Sequence, residues 1–337
     1  MGDVGLQLAA ADCEQTTGKA KGSPESMTLL EVRDLKKAFG THRAVNGVSF
    51  SVKEGEIFGL LGPNGAGKST TLSMICGLLR ANGGSVEVGS WNMAREASQA
   101  KQLIGIVPQE PAIYPMLSAR DNLRFWGTIN GVPPGRMNEA VENALDVVGL
   151  RDRAGQRAST FSGGMKRRLN IAAGLIHRPR LLIMDEPTVG IDPQSRNHIL
   201  ETVKRFRDED MTVIYTSHYV EEIEYLCNRV AIMDHGRIIA EGTLAELLQQ
   251  GSEYQEVAMK IGQPSETIVE AVASLPGVET VQSLNGQLRI TTSSAEQVLP
   301  MAFQAITGHG GIVSETTINK PNLEGLFLKL TGRALRD

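Results

Sequence analysis

Compact apolar runs punctuated by glycine turns fill the first two thirds of the chain, and helix-spaced apolar residues lie between them. From residue 29 to 52 the pattern alternates, with Leu30, Val32 and Leu35 followed by Val45, Val48, Phe50 and Val52. This period of two predicts antiparallel strands in a small sheet, with Asn46-Gly47 at a turn-prone place. Residues 56–61, 103–107, 181–184 and 212–216 are mostly apolar and predict buried strands. A helix is expected over 68–79 and a strand over 85–88. Residues 113–178 change character: 117–126, 137–148 and 165–175 carry helical spacing, broken at Pro133-Pro134-Gly135 and at Gly149, which predicts an inserted helical subdomain. Residues 229–234 and 237–241, joined by His235-Gly236, read as a hairpin, and 244–250 as a short helix.

A second pattern begins at residue 253. Val257, Met259 and Ile261 alternate, and Ile268, Val269, Val272 and Leu275 mark a helix. Two strands flank Asn285-Gly286, a further helix carries Val298, Leu299, Ala302, Phe303 and Ile306, and 312–318 makes another strand. The order βαββαβ predicts a small α+β domain with a ferredoxin-like sandwich. Leu323, Leu326, Phe327 and Leu330 form a closing amphipathic helix. The expected division is therefore 27–250 and 253–337. The second part holds no catalytic constellation, which leaves regulation, dimer contact or a structural appendage open.

Length supports two domains, since 337 residues bury roughly two cores. Charged residues are 21% and the net charge is −4, so no nucleic-acid partner is expected. The three cysteines, Cys13, Cys76 and Cys227, have no metal-ligand spacing and suit a reducing cytosol, with Cys76 packed rather than reactive. No run approaches the roughly 18 apolar residues that cross a bilayer. The chain is thus expected to be soluble, or to reach a membrane through something else. Residues 1–26 lack the basic start and apolar centre of a secretion signal, and their composition predicts a disordered tail. Met27, opening the first strand, is a second candidate start of translation.

The candidate chemistry is anchored by Gly62-Pro63-Asn64-Gly65-Ala66-Gly67-Lys68-Ser69-Thr70, which follows the 56–61 strand without a gap. Glycines at 62, 65 and 67 let phosphates approach the backbone and permit positive φ. A helix starting at Lys68 adds unpaired N–H groups, Lys68 a full positive charge, and Ser69 a hydroxyl for magnesium. Other candidates stand at strand ends, where ligands of open α/β sheets bind. Gln109 follows the 103–107 strand. Asp185 and Glu186 follow the next, suited to holding the metal and to handling the attacking water, or alternatively to plain helix capping. His218 ends the 212–216 strand, and Asp192 lies between the acids and it. Phe39, beside Gly40, is a core residue or a ring placed against adenine. Ser162-Gly163-Gly164 opens a helix, as an ordinary cap or as a second anion-ready start.

In combination and order these motifs resemble the ATP-binding cassette (ABC) ATPases over residues 28–250: Walker A loop (62–70), Q-loop (Gln109), signature (Ser162-Gly163-Gly164), Walker B with its following acid (183–186), D-loop (Gly190-Ile191-Asp192) and switch histidine (His218). Phe161-Ser162-Gly163-Gly164-Met165-Lys166-Arg167-Arg168 is similar to the daunorubicin-resistance and multidrug-exporter branch, and departs from the common Leu-Ser-Gly-Gly-Gln at both ends. The resemblance implies a P-loop NTPase of the cassette type, with a RecA-like core and antiparallel β and helical subdomains. It implies ATP and Mg2+ as ligands, with Ser69, Gln109 and Asp185 around the metal and Lys68, Gln109, Glu186 and His218 in hydrolysis. It further implies a head-to-tail homodimer, in which Ser162, Gly163 and Gly164 of one copy cover ATP held by the other, with Phe39 near the adenine and Asp192 at the seam. A separate membrane permease would dock near 110–117, through Ile113, Tyr114 and Met116 unless these pack at home, and would hold the chain at the inner face of the cell membrane. The small domain at 253–337 is similar to the accessory domain behind exporter ATPases. A soluble cassette ATPase working on a cytosolic macromolecular assembly is the alternative. Such chains usually carry paired cassettes or long coiled coils, and neither occurs in this sequence.

Overall fold

The computed structural model describes residues 27–209, 211–251, 255–262, 264–284, 286–319 and 322–331. The expected tail at 1–26, Cys13 and Asn285 lie outside them. The chain begins with β1 (Thr28–Phe39) and β2 (His42–Lys53), then β3 (Ile57–Leu61), α1 (Lys68–Ile75), β4 (Gly83–Val88), β5 (Trp91–Asn92), α2 (Ala97–Gln102) and β6 (Ile104–Val107). The helical stretch supplies α3 (Ala119–Ile129), α4 (Met137–Val147) and α5 (Gly163–Leu175). Next come β7 (Leu181–Asp185), α6 (Pro193–Asp208), β8 (Thr212–Ser217), α7 (Val220–Leu226), β9 (Arg229–Asp234), β10 (Arg237–Thr243) and α8 (Leu244–Gly251). The last part is β11 (Gln255–Lys260), α9 (Glu266–Ala273), β12 (Val278–Leu284), β13 (Gln287–Thr292), α10 (Ala295–Gly308), β14 (Glu315–Asn319) and α11 (Leu323–Thr331).

The central sheet has the order β10-β9-β3-β8-β7-β6, parallel except for β10 at one edge. Its strands are apolar on both sides because both faces are covered. Ile57, Leu61, Leu182, Met184, Val213 and Tyr215 face the helices. Phe58, Leu60, Leu181, Ile183 and Ile214 face the antiparallel sheet β2-β1-β4-β5 and α1.

Two local expectations change. The β1–β2 turn falls at Gly40-Thr41, where Gly40 has φ 59°, and not at Asn46-Gly47. Gly47, at φ 84°, is instead skipped in the register between Val48 opposite Leu35 and Asn46 opposite Lys36, so the dipeptide forms a bulge inside β2. The helix after the glycine loop stops at Ile75, with Cys76 as its C-cap and Gly77 at φ 62°. A left-handed glycine ends a helix at once, whatever apolar spacing follows. The hairpin at His235-Gly236 forms as expected, both residues having positive φ.

The C-terminal sheet runs β12-β13-β11-β14, every pairing antiparallel, with α9 and α10 packed on the face that carries Val257, Met259, Leu288 and Ile290. The closing helix behaves differently from its sequence grouping. Leu323, Leu326 and Phe327 join the core of the first part, where α11 packs on α8 and α7, while Leu330 is exposed. The Leu323 amide donates to Glu224 Oε1 on α7 at 3.0 Å. Among the described residues no helix is long and apolar enough to cross a membrane.

Phe327 is fully buried in that junction. Phe327→Ala is expected to lower unfolding stability by about 3–5 kcal/mol, the usual result of emptying an aromatic core position. Denaturant titration of the full chain checks this. A loss below about 0.5 kcal/mol, typical of a surface change, would show that α11 is not part of the core.

Candidate functional site

The chain leaving each of three neighbouring strands leads to the same place. β3 leads into the glycine loop and Lys68, β7 into Glu186, and β8 into His218. The parallel register sets Leu61 opposite Ser217 and Asp185 opposite Thr216, so the strand ends are level.

Each glycine of the loop has its own cause. A Cβ on Gly62 would overlap the Met233 carbonyl of β9, and one on Gly67 the Ala44 carbonyl of β2. Gly65 has open space around it, but its φ is 81°. Gly62 does not adopt positive φ, contrary to the sequence expectation; its lack of a side chain serves packing against β9. Gly67, at φ 102°, is the N-cap of α1 and offers no side-chain cap. The first amides of α1 therefore remain available to an anion in front of them.

Lys68 and Glu186 are each only 5% exposed. The Lys68 ammonium donates to Gly62 O at 2.7 Å and Pro63 O at 3.1 Å, and lies 3.0 Å from Glu186 Oε1. The other carboxylate oxygen, Oε2, is 3.2 Å from His218 Nδ1. Burial alone would push the Glu186 carboxyl up, but the His218 hydrogen bond and the Lys68 charge and hydrogen bond outweigh it and hold it down at about 2. Glu186 has φ 45°, a left-handed conformation that costs a non-glycine residue about 1 kcal/mol or more. Its amide donates to Thr216 Oγ1 at 2.9 Å, and that hydroxyl donates to Asp185 Oδ1 at 2.8 Å. Neither acid caps a helix; the cap of α6 is Asp192, which accepts from the Ser195 amide at 3.0 Å, and this bond lowers the Asp192 carboxyl.

A cleft of about 380 Å3 gathers Phe39, Asn64, Gly65, Ala66, Gly67, Lys68, Ser69, Thr70, Gln109 and Glu186. Phe39 is 52% exposed at its mouth with Lys37 Nζ 5.3 Å from the ring centre, so it is not a core residue. His42 and Ala44 also line the cleft and carried no signal in the sequence beyond their place on β2. Ser162, Gly163 and Gly164 do not line it. Ser162 caps α5 by accepting from the Met165 amide at 3.2 Å, and a Cβ on Gly164 would collide with Ser195, so this helix start is pressed against the start of α6. Ser69 and Gln109 line the cleft and offer hard oxygen donors of the kind magnesium prefers, while Asp185 is not among the lining residues and its Oδ1 accepts from Thr216. Among the described residues no group of three or more His, Cys, Asp and Glu is placed to hold a metal ion.

The segment after β6 is held by side chains of the helical layer. Arg167 and Asn170 of α5 donate to Pro108 O at 2.9 and 3.2 Å, and Asn170 Oδ1 accepts from the Ala112 amide at 3.0 Å. On α3, Trp126 Nε1 donates to Ala112 O at 2.8 Å, and Asn122 both accepts from the Tyr114 amide and donates to its carbonyl. Ile113 packs inward, whereas Tyr114 and Met116 are exposed.

Residues 45–189 match the family model described as ABC transporter. The chain is 49% identical over 311 residues to a linearmycin resistance ATP-binding protein of Bacillus subtilis (strain 168), covering 92% of this chain and all of that one. It is 38% identical over 312 residues to Nod factor export ATP-binding protein I of Cupriavidus metallidurans (strain CH34), covering 92% and 99%. Among solved structures, cbiO1 from Clostridium perfringens, described as part of the ABC transporter complex cbiONQ, aligns with TM-score 0.61 and 27% identity over 75% of this chain and 97% of that one. An ATP-binding subunit of an ABC transporter aligns with TM-score 0.60 and 29% identity over 66% and 93%. Near-complete coverage at that identity, on a fold and a phosphate loop of the same kind, is decisive: the chain belongs to the ABC transporter family, as one of its ATP-binding subunits.

Proposed function

We propose that the protein hydrolyses ATP as the motor subunit of an exporter, working as a head-to-tail pair against a separate membrane permease at the inner face of the membrane. The observation that carries the hydrolytic part is the Lys68–Glu186–His218 chain at the mouth of a glycine loop, with Lys68 and Glu186 buried. Lys68 and the α1 amides bind the phosphates, and Phe39 stacks on the adenine. Ser69, Gln109 and Asp185 hold magnesium, which when bound neutralises developing charge on the transferred phosphoryl group. Water attacks the γ-phosphorus, the bond to the β–γ bridging oxygen breaks, and Glu186 orients the water and takes its proton. A terminal phosphate competes with Glu186 for the Lys68 ammonium, and losing that partner raises the basicity of the carboxylate. His218 then keeps Glu186 in place.

Pairing of two copies accounts for Ser162, Gly163 and Gly164, which stand outside the cleft of their own chain. Docking of a permease helix fits the exposed Tyr114 and Met116 and an adjoining apolar groove of about 400 Å3 that includes Leu78, Ile106, Trp126 and Ile129. The side chains that pin residues 108–114 belong to α3 and α5, so force at this surface reaches Ser162 through α5. Export as the direction rests on the relatives named for resistance and for export.

Glu186→Gln is expected to slow steady-state hydrolysis at least about 100-fold, as removal of a positioned base does, while tightening ATP binding because Lys68 loses a competitor. With ATP this variant should sediment as a dimer; a monomer at saturating ATP counts against the paired state. Lys68→Ala is expected to weaken ATP binding about tenfold or more, read by titration with a fluorescent nucleotide.

The Glu186 carboxyl has a folded value of about 2 against an ordinary 4.5. A depressed acid contributes stability fully above its unfolded value and loses it as pH falls through the folded one. The stability gap between wild type and Glu186→Gln should therefore be flat above about pH 5 and shrink by on the order of 3 kcal/mol toward pH 2. Denaturation at stepped pH reads the gap. One that is constant or widens on acidification would mean that Lys68 and His218 do not hold the carboxylate.

A further inference from the structure

Behind the catalytic chain lies a second buried carboxylate that the hydrolytic reading does not use. Glu222, on α7, is fully buried. Its Oε2 accepts from Thr188 Oγ1 at 2.9 Å, Tyr215 OH at 3.0 Å and Ser217 Oγ at 2.9 Å. Its Oε1 accepts from Arg196 Nε at 2.6 Å. Burial first, and then the Glu222 charge, hold the Tyr215 hydroxyl firmly protonated, so it remains a donor.

The donors come from two separate stretches. Thr188 follows Glu186 by two residues, and Arg196 lies on the first turn of α6, which Asp192 caps. Tyr215 and Ser217 belong to the end of β8, immediately before His218. The Arg196 guanidinium also lies over the ring of Tyr219, 4.8 Å from its centre, on the far side of His218. We propose that Glu222 is the positioning residue that ties the Asp192 segment to the His218 segment, so that the seam-facing loop and the histidine move as one body. This rests on reading the cleft as an ATPase site.

The chemistry makes the carboxylate hard to replace. A glutamine offers one acceptor oxygen. Facing the three hydroxyls, that oxygen leaves the amide group opposed to Arg196, donor against donor. Facing Arg196, it forces all three hydroxyls to turn, although Ser217 Oγ already accepts from the Tyr219 amide at 2.9 Å. Either arrangement releases one segment from the other at almost unchanged volume.

The full-length chain and its Glu222→Gln variant are compared by hydrogen exchange and by steady-state hydrolysis. The expected result is faster exchange, about tenfold or more, at the amides of both 188–196 and 216–222. It is accompanied by a kcat at least about tenfold lower with the KM for ATP within about twofold, since Glu222 touches no part of the phosphate loop. Glu222→Gln/Arg196→Met should fall no further than Glu222→Gln alone, because both changes cut the same link. Faster exchange in one segment only, or kcat within about twofold of wild type, overturns the proposal. A KM that rises in step with the fall in kcat also does, since it marks general damage. If Glu222→Gln does not fold, Ser217→Ala takes its place. That change touches only β8, so faster exchange at 188–196 supports the link and its absence refutes it. A wild-type chain without turnover overturns the ATPase reading instead, and the exchange data then decide the link alone.

Discussion

The site depends on two buried charges, Lys68 and Glu186, that tolerate burial only together. Taking an ammonium or a carboxylate out of water costs several kcal/mol, and the cost is offset only when partners are held in good geometry. Lys68 answers Glu186, and His218 and the loop carbonyls complete the set. The parallel register of β3, β8 and β7 is what brings them within reach, because a slip of one residue in any strand would turn its end toward the wrong face. The left-handed turn at Glu186 is the local strain this arrangement carries. The Lys68 ammonium is therefore already engaged by Glu186 and two loop carbonyls.

The helical layer meets the same site from the side. Residues 108–114 have few backbone partners of their own, and α3 and α5 supply them through Asn122, Trp126, Arg167 and Asn170. Arg167 is nearly buried, and burial lowers its pKa, yet its ordinary value is high enough that it stays a cation donating to Pro108 O. The start of α5 is pressed in turn against the start of α6, where a side chain on Gly164 would collide with Ser195. An unbroken run of contacts thus joins the segment after β6 to α5, the start of α5 to the start of α6, and Arg196 of α6 to Glu222.

Much of this was legible in the sequence because phosphate chemistry constrains neighbouring residues. The 62–70 loop, the acid pair after an apolar strand and the histidine after another are local signals, and the structure puts Lys68, Glu186 and His218 in contact. Asn46-Gly47 misled because the same positive φ that suits a turn also suits a bulge, and only the register with β1 separates the two. Gly62 and Gly67 were read as making room for phosphate, while the atoms they make room for, Met233 O and Ala44 O, come from strands distant in sequence. Glu222 was invisible for the same reason. A glutamate among Val220, Ile223 and Leu226 on a short helix looks like a surface residue until Thr188, Tyr215, Ser217 and Arg196 are found around it.

The last helix shows how spacing identifies an element without identifying its partner. Leu323, Leu326 and Phe327 predict an amphipathic helix wherever it packs, and in sequence they follow the C-terminal sheet. That sheet had already covered one face with α9 and α10, whose apolar residues fill its core. The apolar stripe of α11 goes instead to α7 and α8, and the polar contact from Arg289 of β13 to Glu324 at 3.7 Å links it back to its own domain. One helix therefore follows the C-terminal sheet in sequence and packs its apolar face on α7 and α8. α7 begins two residues after His218 and carries both Glu222, which accepts from Ser217 at the end of β8, and Glu224, which accepts from the Leu323 amide of α11.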